Sequence, residues 1–217
     1  MSHQIRFSEK FIFLFLGLLM PTLAVAAEIK PTLVNAEYIR QEKINLTGGF
    51  IKAVRFSDVS GEHLLLLTKA STPSKSKPNP QKIERHELKA INFRKTAEGW
   101  VQEWVINDYV DCPDLDSEAD FFLDSISVTD VNNDGFAEAS VPYSLFCGGG
   151  IDSKIIKIIM RTKSEKFAIR GESRVILPGQ EPFGGAMTVD PALHKNKNTA
   201  YKNQLIKLWN CVSTERR

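Results

Sequence analysis

A mainly β fold is predicted for this chain: an antiparallel meander, sandwich or partial-propeller-like sheet with a C-terminal helix. Three observations predict it. Short runs rich in Val, Ile, Leu and Phe recur along the chain, and several alternate with polar residues at the period of a half-buried strand. Glycines and an Asn-Asp-Gly signal punctuate these runs as turns. Only near the C-terminus does the apolar spacing become that of a helix.

The chain opens on a leader. Arg6 and Lys10 are basic, Phe11 to Met20 is apolar apart from Gly17, and Pro21 ends the run before the small residues Ala24-Val25-Ala26. This is the pattern of a secretory signal peptide over residues 1–27. The apolar run is too short for a bilayer-spanning helix, so no membrane span is expected after cleavage. Residues 28–217 are expected to form a single β-rich domain, periplasmic or extracellular.

Strands are predicted over Gly49–Phe56 and His63–Thr68, with Gly61 at the turn. Residues Ser71–Pro80, rich in Ser, Pro and Lys, read as a flexible loop. Strands resume over Ile83–Arg94 and Trp100–Ile106, where Trp100 and Trp104 would share a face in a regular strand. Further strands are predicted at Ile155–Met160, Lys166–Arg170 and Val175–Leu177, followed by a turn-rich loop over Pro178–Gly185. Asp190-Pro191 reads as a helix start. Tyr201, Leu205, Leu208, Trp209 and Val212 form one apolar stripe on a helix over about 190–213.

Charge is divided unevenly along the chain. The net charge of +2 gives no basis for a nucleic-acid partner. From Thr96 to Ser153 there is no Lys or Arg, yet the interval holds thirteen of the 26 acidic residues. Such a block would either attract cations or form a solvated acidic face.

Three cysteines allow three pairings. Cys112 precedes the Asn-Asp-Gly segment and Cys147 follows it, and a secreted chain meets an oxidising compartment. A Cys112–Cys147 disulfide is therefore expected, contributing roughly 3–4 kcal/mol through loop closure. Cys211 would be left over on the predicted helix, where it is expected to be buried.

Catalytic signatures are absent. His86-Glu87 begins like a zinc-protease motif, but Ala90 stands where the second His would be needed. There is no Gly-x-Ser-x-Gly elbow and no phosphate-binding glycine pattern. Cys147 has no histidine tied to it by spacing. Asp111, Asp114 and Asp116 are the carboxylates available to an acid–base pair.

The most informative stretch is Asp130-Val131-Asn132-Asn133-Asp134-Gly135-Phe136-Ala137-Glu138. Side-chain oxygens fall at its first, third, fifth and ninth places, with glycine at the sixth. Calcium takes six to eight oxygens from a tight loop. Asp130, Asn132, Asp134 and Glu138 would offer side-chain oxygens and Phe136 its carbonyl. An EF-hand is excluded, because Val141 occupies the position of its bidentate Glu. The flanks read as strands: Ile126 and Val128 alternate with Ser and Thr, as do Ala139, Val141 and Tyr143 with polar residues and Pro142. The alternative is a plain hairpin turn.

These nine residues resemble the Asp-x-Asp/Asn-x-Asp-Gly-x-x-Asp/Glu loop of FG-GAP and VCBS-type β-repeat proteins. That resemblance implies calcium held between two strands. No second copy is present, so it covers one hairpin and does not imply a complete propeller. The string from the loop through Cys147-Gly148-Gly149-Gly150 to Lys157-Ile158-Ile159-Met160-Arg161 is also similar to uncharacterised secreted bacterial proteins, some labelled as linked to surface polysaccharides. The resulting expectation is a non-enzymatic binding or structural module with one calcium-stabilised hairpin, its partner a surface glycan or another envelope protein. The alternative is a polysaccharide-processing enzyme using the acidic block.

Overall fold

The structure is a computed structural model and describes residues 28–217; the expected leader lies outside them. The first sheet is built from β1 (Thr32–Val34), β2 (Gly49–Asp58), β3 (Gly61–Thr72), β4 (Arg85–Thr96) and β5 (Gly99–Asp111). All five are antiparallel neighbours in chain order. Between β1 and β2 lies helix α1 (Ala36–Gln41), capped where the Asn35 side chain accepts the Tyr38 amide at 3.0 Å. Strand alternation divides the apolar residues between two faces. Val54, Phe56, Leu65, Leu67, Leu88, Ala90 and Ile106 face one core. Ala53, Leu64 and Leu66 face the other, beneath Ile39 of α1 and Ile44. Both faces of β3 are thus buried, which accounts for the unbroken Leu64–Leu67 run.

The second sheet uses β6 (Asp116–Phe121), β7 (Ser127–Thr129), β8 (Glu138–Gly148), β9 (Ile155–Arg161) and β10 (Lys166–Glu172). After β10 come β11 (Arg174–Ile176), β12 (Phe183–Gly184) and β13 (Met187–Val189). Helix α2 (Thr199–Val212) and β14 (Thr214–Arg216) complete the described chain. The order in the second sheet is β13-β10-β9-β8-β6, with β7 also on β8. A small third sheet runs β12-β11-β14, in which β14 lies parallel to β11. Ala119, Val128, Val141, Tyr143, Ile159 and Ala168 meet the first sheet's inner core, so the two large sheets form a sandwich. Ile156, Ile158, Met160, Phe167 and Ile169 face the other way and receive Leu205, Leu208, Trp209 and Val212 of α2.

The mainly β, antiparallel class and the C-terminal helix are as expected, and Cys112 and Cys147 form the expected disulfide. Four local expectations are corrected. The strand expected before the loop is short, because Leu123–Ser125 forms a 3-10 turn ahead of β7. The helix does not begin at Asp190. Two 3-10 turns, Pro191–His194 and Asn196–Asn198, come first, and α2 starts at Thr199. Asp190 is not free to cap, since its carboxylate accepts from Arg170 at 2.6 Å. Cys211 is exposed rather than buried, pointing away from the stripe that packs on the sheet.

The tryptophans differ most instructively. Asn92 pairs with Trp104 but Phe93 pairs with Gln102, so Glu103 is one extra residue in β5. Such a bulge reverses the alternation beyond it. Trp104 therefore packs against the inter-sheet core, whereas Trp100 packs beside Phe93 on the opposite face.

Candidate metal site

The loop over 130–138 joins β7 to β8. Its tight path needs left-handed backbone at Asn133 (φ 60°) and Gly135 (φ 84°). Gly135 is required twice over, because a Cβ there would lie 2.7 Å from a Val59 methyl. Its carbonyl accepts the Val59 amide at 3.0 Å, and the Ala137 amide donates to Asp58 at 3.0 Å. The loop is thereby fixed to the β2–β3 turn of the other sheet.

Each predicted side-chain ligand has a hydrogen-bond partner. Asp130 accepts the amides of Asp134 at 3.1 Å and Gly135 at 2.8 Å. Asn132 Oδ1 accepts the Asp134 amide at 3.3 Å, and its Nδ2 donates to Asp134 at 2.8 Å and to the Tyr201 hydroxyl at 2.9 Å. Asp134 accepts the Phe136 amide at 2.9 Å. Glu138 is only 1% exposed and accepts the Val131 amide at 2.7 Å, with the Tyr201 hydroxyl 3.5 Å away. Burial pushes the Glu138 carboxyl up to about 7 against the pull of the Val131 amide, and the charges of Asp134 and Asp130 add to it. Tyr201 is raised to about 12, by burial first and then by Glu138 and Asp134.

All these side-chain donors are hard oxygens, which suits calcium rather than a thiophilic metal. None of Asp130, Asp134 and Glu138 has a basic partner among the described residues. The side chains nevertheless turn onto the loop's own amides. Among the described residues no three His, Cys, Asp or Glu side chains are gathered as a ligand group.

The rest of the acidic block behaves differently. Asp108 pairs with Lys157, Glu118 with Lys154, Asp120 with Lys69 and Glu103 with Arg94. Asp111 faces Arg85, and Asp114 takes Lys77 and Lys82. Segregation along the chain is thus not segregation in space. The candidate acid–base carboxylates Asp111 and Asp114 are held by cations, and Asp116 is exposed on β6. Sequence reading missed Tyr201 and Asp58 as neighbours of the loop. Tyr201 sits in the helix stripe and was indistinguishable there from core. Asp58 lies just before the Val59-Ser60-Gly61 turn, and only the tertiary fold brings it to Ala137.

Compared with protein-family models, with curated proteins and with solved structures, the chain has no significant match. No helix among the described residues is long and apolar enough to cross a membrane.

Proposed function

We propose that this protein is a secreted, periplasmic or extracellular, non-enzymatic binding or structural module whose 130–138 loop takes up one calcium ion. The observation that carries this reading is the set of three carboxylates, Asp130, Asp134 and Glu138, that share one turn with no basic group within ion-pair distance among the described residues, while Glu138 is almost fully buried. Asp130, Asn132, Asp134, the Phe136 carbonyl and Glu138 would hold the ion, exchanging their bonds to loop amides for it. The ion supplies a positive charge that the residues of the turn lack and stiffens a turn that Gly135 and Ala137 already fix to the β2–β3 turn. A surface glycan or another envelope protein is the proposed class of partner. An enzymatic role draws less support, because Asp111 and Asp114 are engaged by Arg85, Lys77 and Lys82.

The test is thermal unfolding with calcium and with chelator. Calcium at a hundredfold over Kd should stabilise the wild type by about 2.7 kcal/mol, which for a domain of this size raises Tm by roughly 5–10 °C. Asp134→Ala should lose that response. A wild-type Tm unchanged at several millimolar calcium would reduce the loop to a turn.

A further inference from the structure

Several strands change character at the same end of the sandwich. Residues facing the inter-sheet space alternate along each strand. On β2 the series runs Val54, Phe56, then Asp58; on β3 it runs Leu67, Leu65, then His63. On β4 it runs Leu88, Ala90, then Asn92, and on β9 Ile159 is followed by Arg161. On β5 the bulged Glu103 joins Trp104 at the same level. An apolar core thus opens into a polar mouth, a cavity of about 310 Å³. That is the low end of the range for small-molecule sites.

Most of the mouth's polar groups satisfy one another. His63, 4% exposed, has Nε2 at 2.9 Å from the Ser60 hydroxyl and 3.3 Å from Asp58, and Nδ1 at 3.3 Å from Glu103. Asn92 Nδ2 donates to Glu103 at 3.0 Å, and Arg94 Nε donates to Glu103 at 2.8 Å. Two groups are left over. Asn92 is 3% exposed, and because its Nδ2 is spent on Glu103 its Oδ1 is turned elsewhere and meets no donor. Arg161 has a buried Nε with no acceptor, and no carboxylate lies within ion-pair distance of it among the described residues. Its guanidinium lies over the Trp104 ring, 5.5 Å from the centroid. Burial holds its pKa below the usual arginine value. Lys163 stands at the rim with its ammonium 3.9 Å from the Phe136 ring centre, likewise without a carboxylate.

A buried guanidinium N–H without an acceptor is costly, as is a buried carbonyl without a donor. A ligand that supplies both removes both costs. It needs an anionic group to meet Arg161, in the fork geometry that suits a carboxylate. It also needs a hydroxyl to donate to Asn92 Oδ1, and an apolar ring face for Trp104 and Phe136. We propose that this mouth binds a sugar acid, a ring-shaped hydroxylated carboxylate, with Arg161 on the carboxylate, Asn92 on a hydroxyl and Trp104 against the ring. The site deepens the binding-module reading but needs no ion in the loop, although Phe136 belongs to both.

Calorimetric titration of the mature protein with glucuronate, glucose and sulfate tests the proposal, in chelator and again in calcium. Glucuronate should bind at millimolar concentration or below, at least tenfold more tightly than glucose or sulfate, with chelator present. Arg161→Met keeps the apolar stem and removes the charge. It should weaken glucuronate at least tenfold while leaving Tm close to or above that of the wild type, because a buried N–H without an acceptor has been deleted. Lys163→Met, on an exposed side chain, should weaken it severalfold and serves if Arg161→Met does not fold. A trigalacturonate that binds more tightly than the single sugar places the site on glycan chains; equal affinity places it on free sugar acids. No glucuronate binding up to tens of millimolar, equal binding of glucose or sulfate, or unchanged affinity in both variants would overturn the proposal. Failure of the calcium reading shows separately, as a Tm that ignores calcium while glucuronate still binds.

Discussion

Along β5 and β6, Asp108 meets Lys157, Asp120 meets Lys69 and Glu118 meets Lys154, each bond joining residues far apart in the chain. A short distance onward, Asp130, Asp134 and Glu138 crowd one turn and find only backbone amides, an asparagine and a tyrosine. Both groups come from the same basic-free interval of the chain. Strand pairing imports cations from other segments, because any strand lies beside residues distant in sequence. A nine-residue turn is local and can neutralise its charge only with what it carries or with an ion.

Three measurements sharpen that contrast. The largest effect is expected at Glu138. Its folded carboxyl lies near 7 against an ordinary 4.5, so keeping it charged at pH 8 without metal should cost about 3 kcal/mol. Glu138→Gln should therefore be more stable than the wild type in chelator, by urea unfolding, and should lose the calcium response. A variant no more stable than the wild type in chelator would place this carboxylate with the compensated ones.

Asp58 is the intermediate case. Burial opposes its ionisation, but bonds from the Ser60 hydroxyl and from the Ala137 and Ser60 amides, with His63 nearby, hold its pKa below the usual value. A lowered folded pKa contributes stability above the unfolded value, and that contribution is lost as pH falls through the folded one. Asp58→Asn should destabilise by about 1 kcal/mol at pH 7. The two proteins should converge in stability as pH drops below 3.8, the ordinary aspartate value. A gap that persists at pH 2 would assign the loss to shape rather than charge.

The smallest effect belongs to the strand pairs. Lys69→Met breaks the 2.7 Å contact with Asp120, yet partly exposed pairs are worth about 0.2–1 kcal/mol. Its deficit in urea midpoint should shrink in 1 M salt. A larger, salt-independent loss would mean that the pair acts through packing.

Much of this molecule was legible in residue order. Period-two alternation marked the strands, the helix stripe at Tyr201, Leu205, Leu208 and Trp209 marked α2, and the cysteines flanking the loop marked the disulfide. What escaped depended on partners. The extra Glu103 in β5 leaves no local trace, because only pairing with β4 shows which residue is surplus. Asp190 looked like a cap until Arg170, on a neighbouring strand, took its carboxylate. The polar positions Asp58, His63, Asn92 and Arg161 each look like an ordinary interruption of their own strand. They form a mouth only once four strands are aligned, and strand order is not written in any one of them.

The bulge in β5 carries one more consequence. This strand is thirteen residues long and closes its sheet, with Val101, Val105 and Tyr109 exposed. A long, regular border of that kind invites a second molecule to add its own strand and continue the sheet into a polymer. One surplus residue breaks the repeat of free amides and carbonyls and increases the local twist, so an incoming strand cannot stay in step. The residue that parts Trp100 from Trp104 also interrupts the regular border this strand would otherwise present.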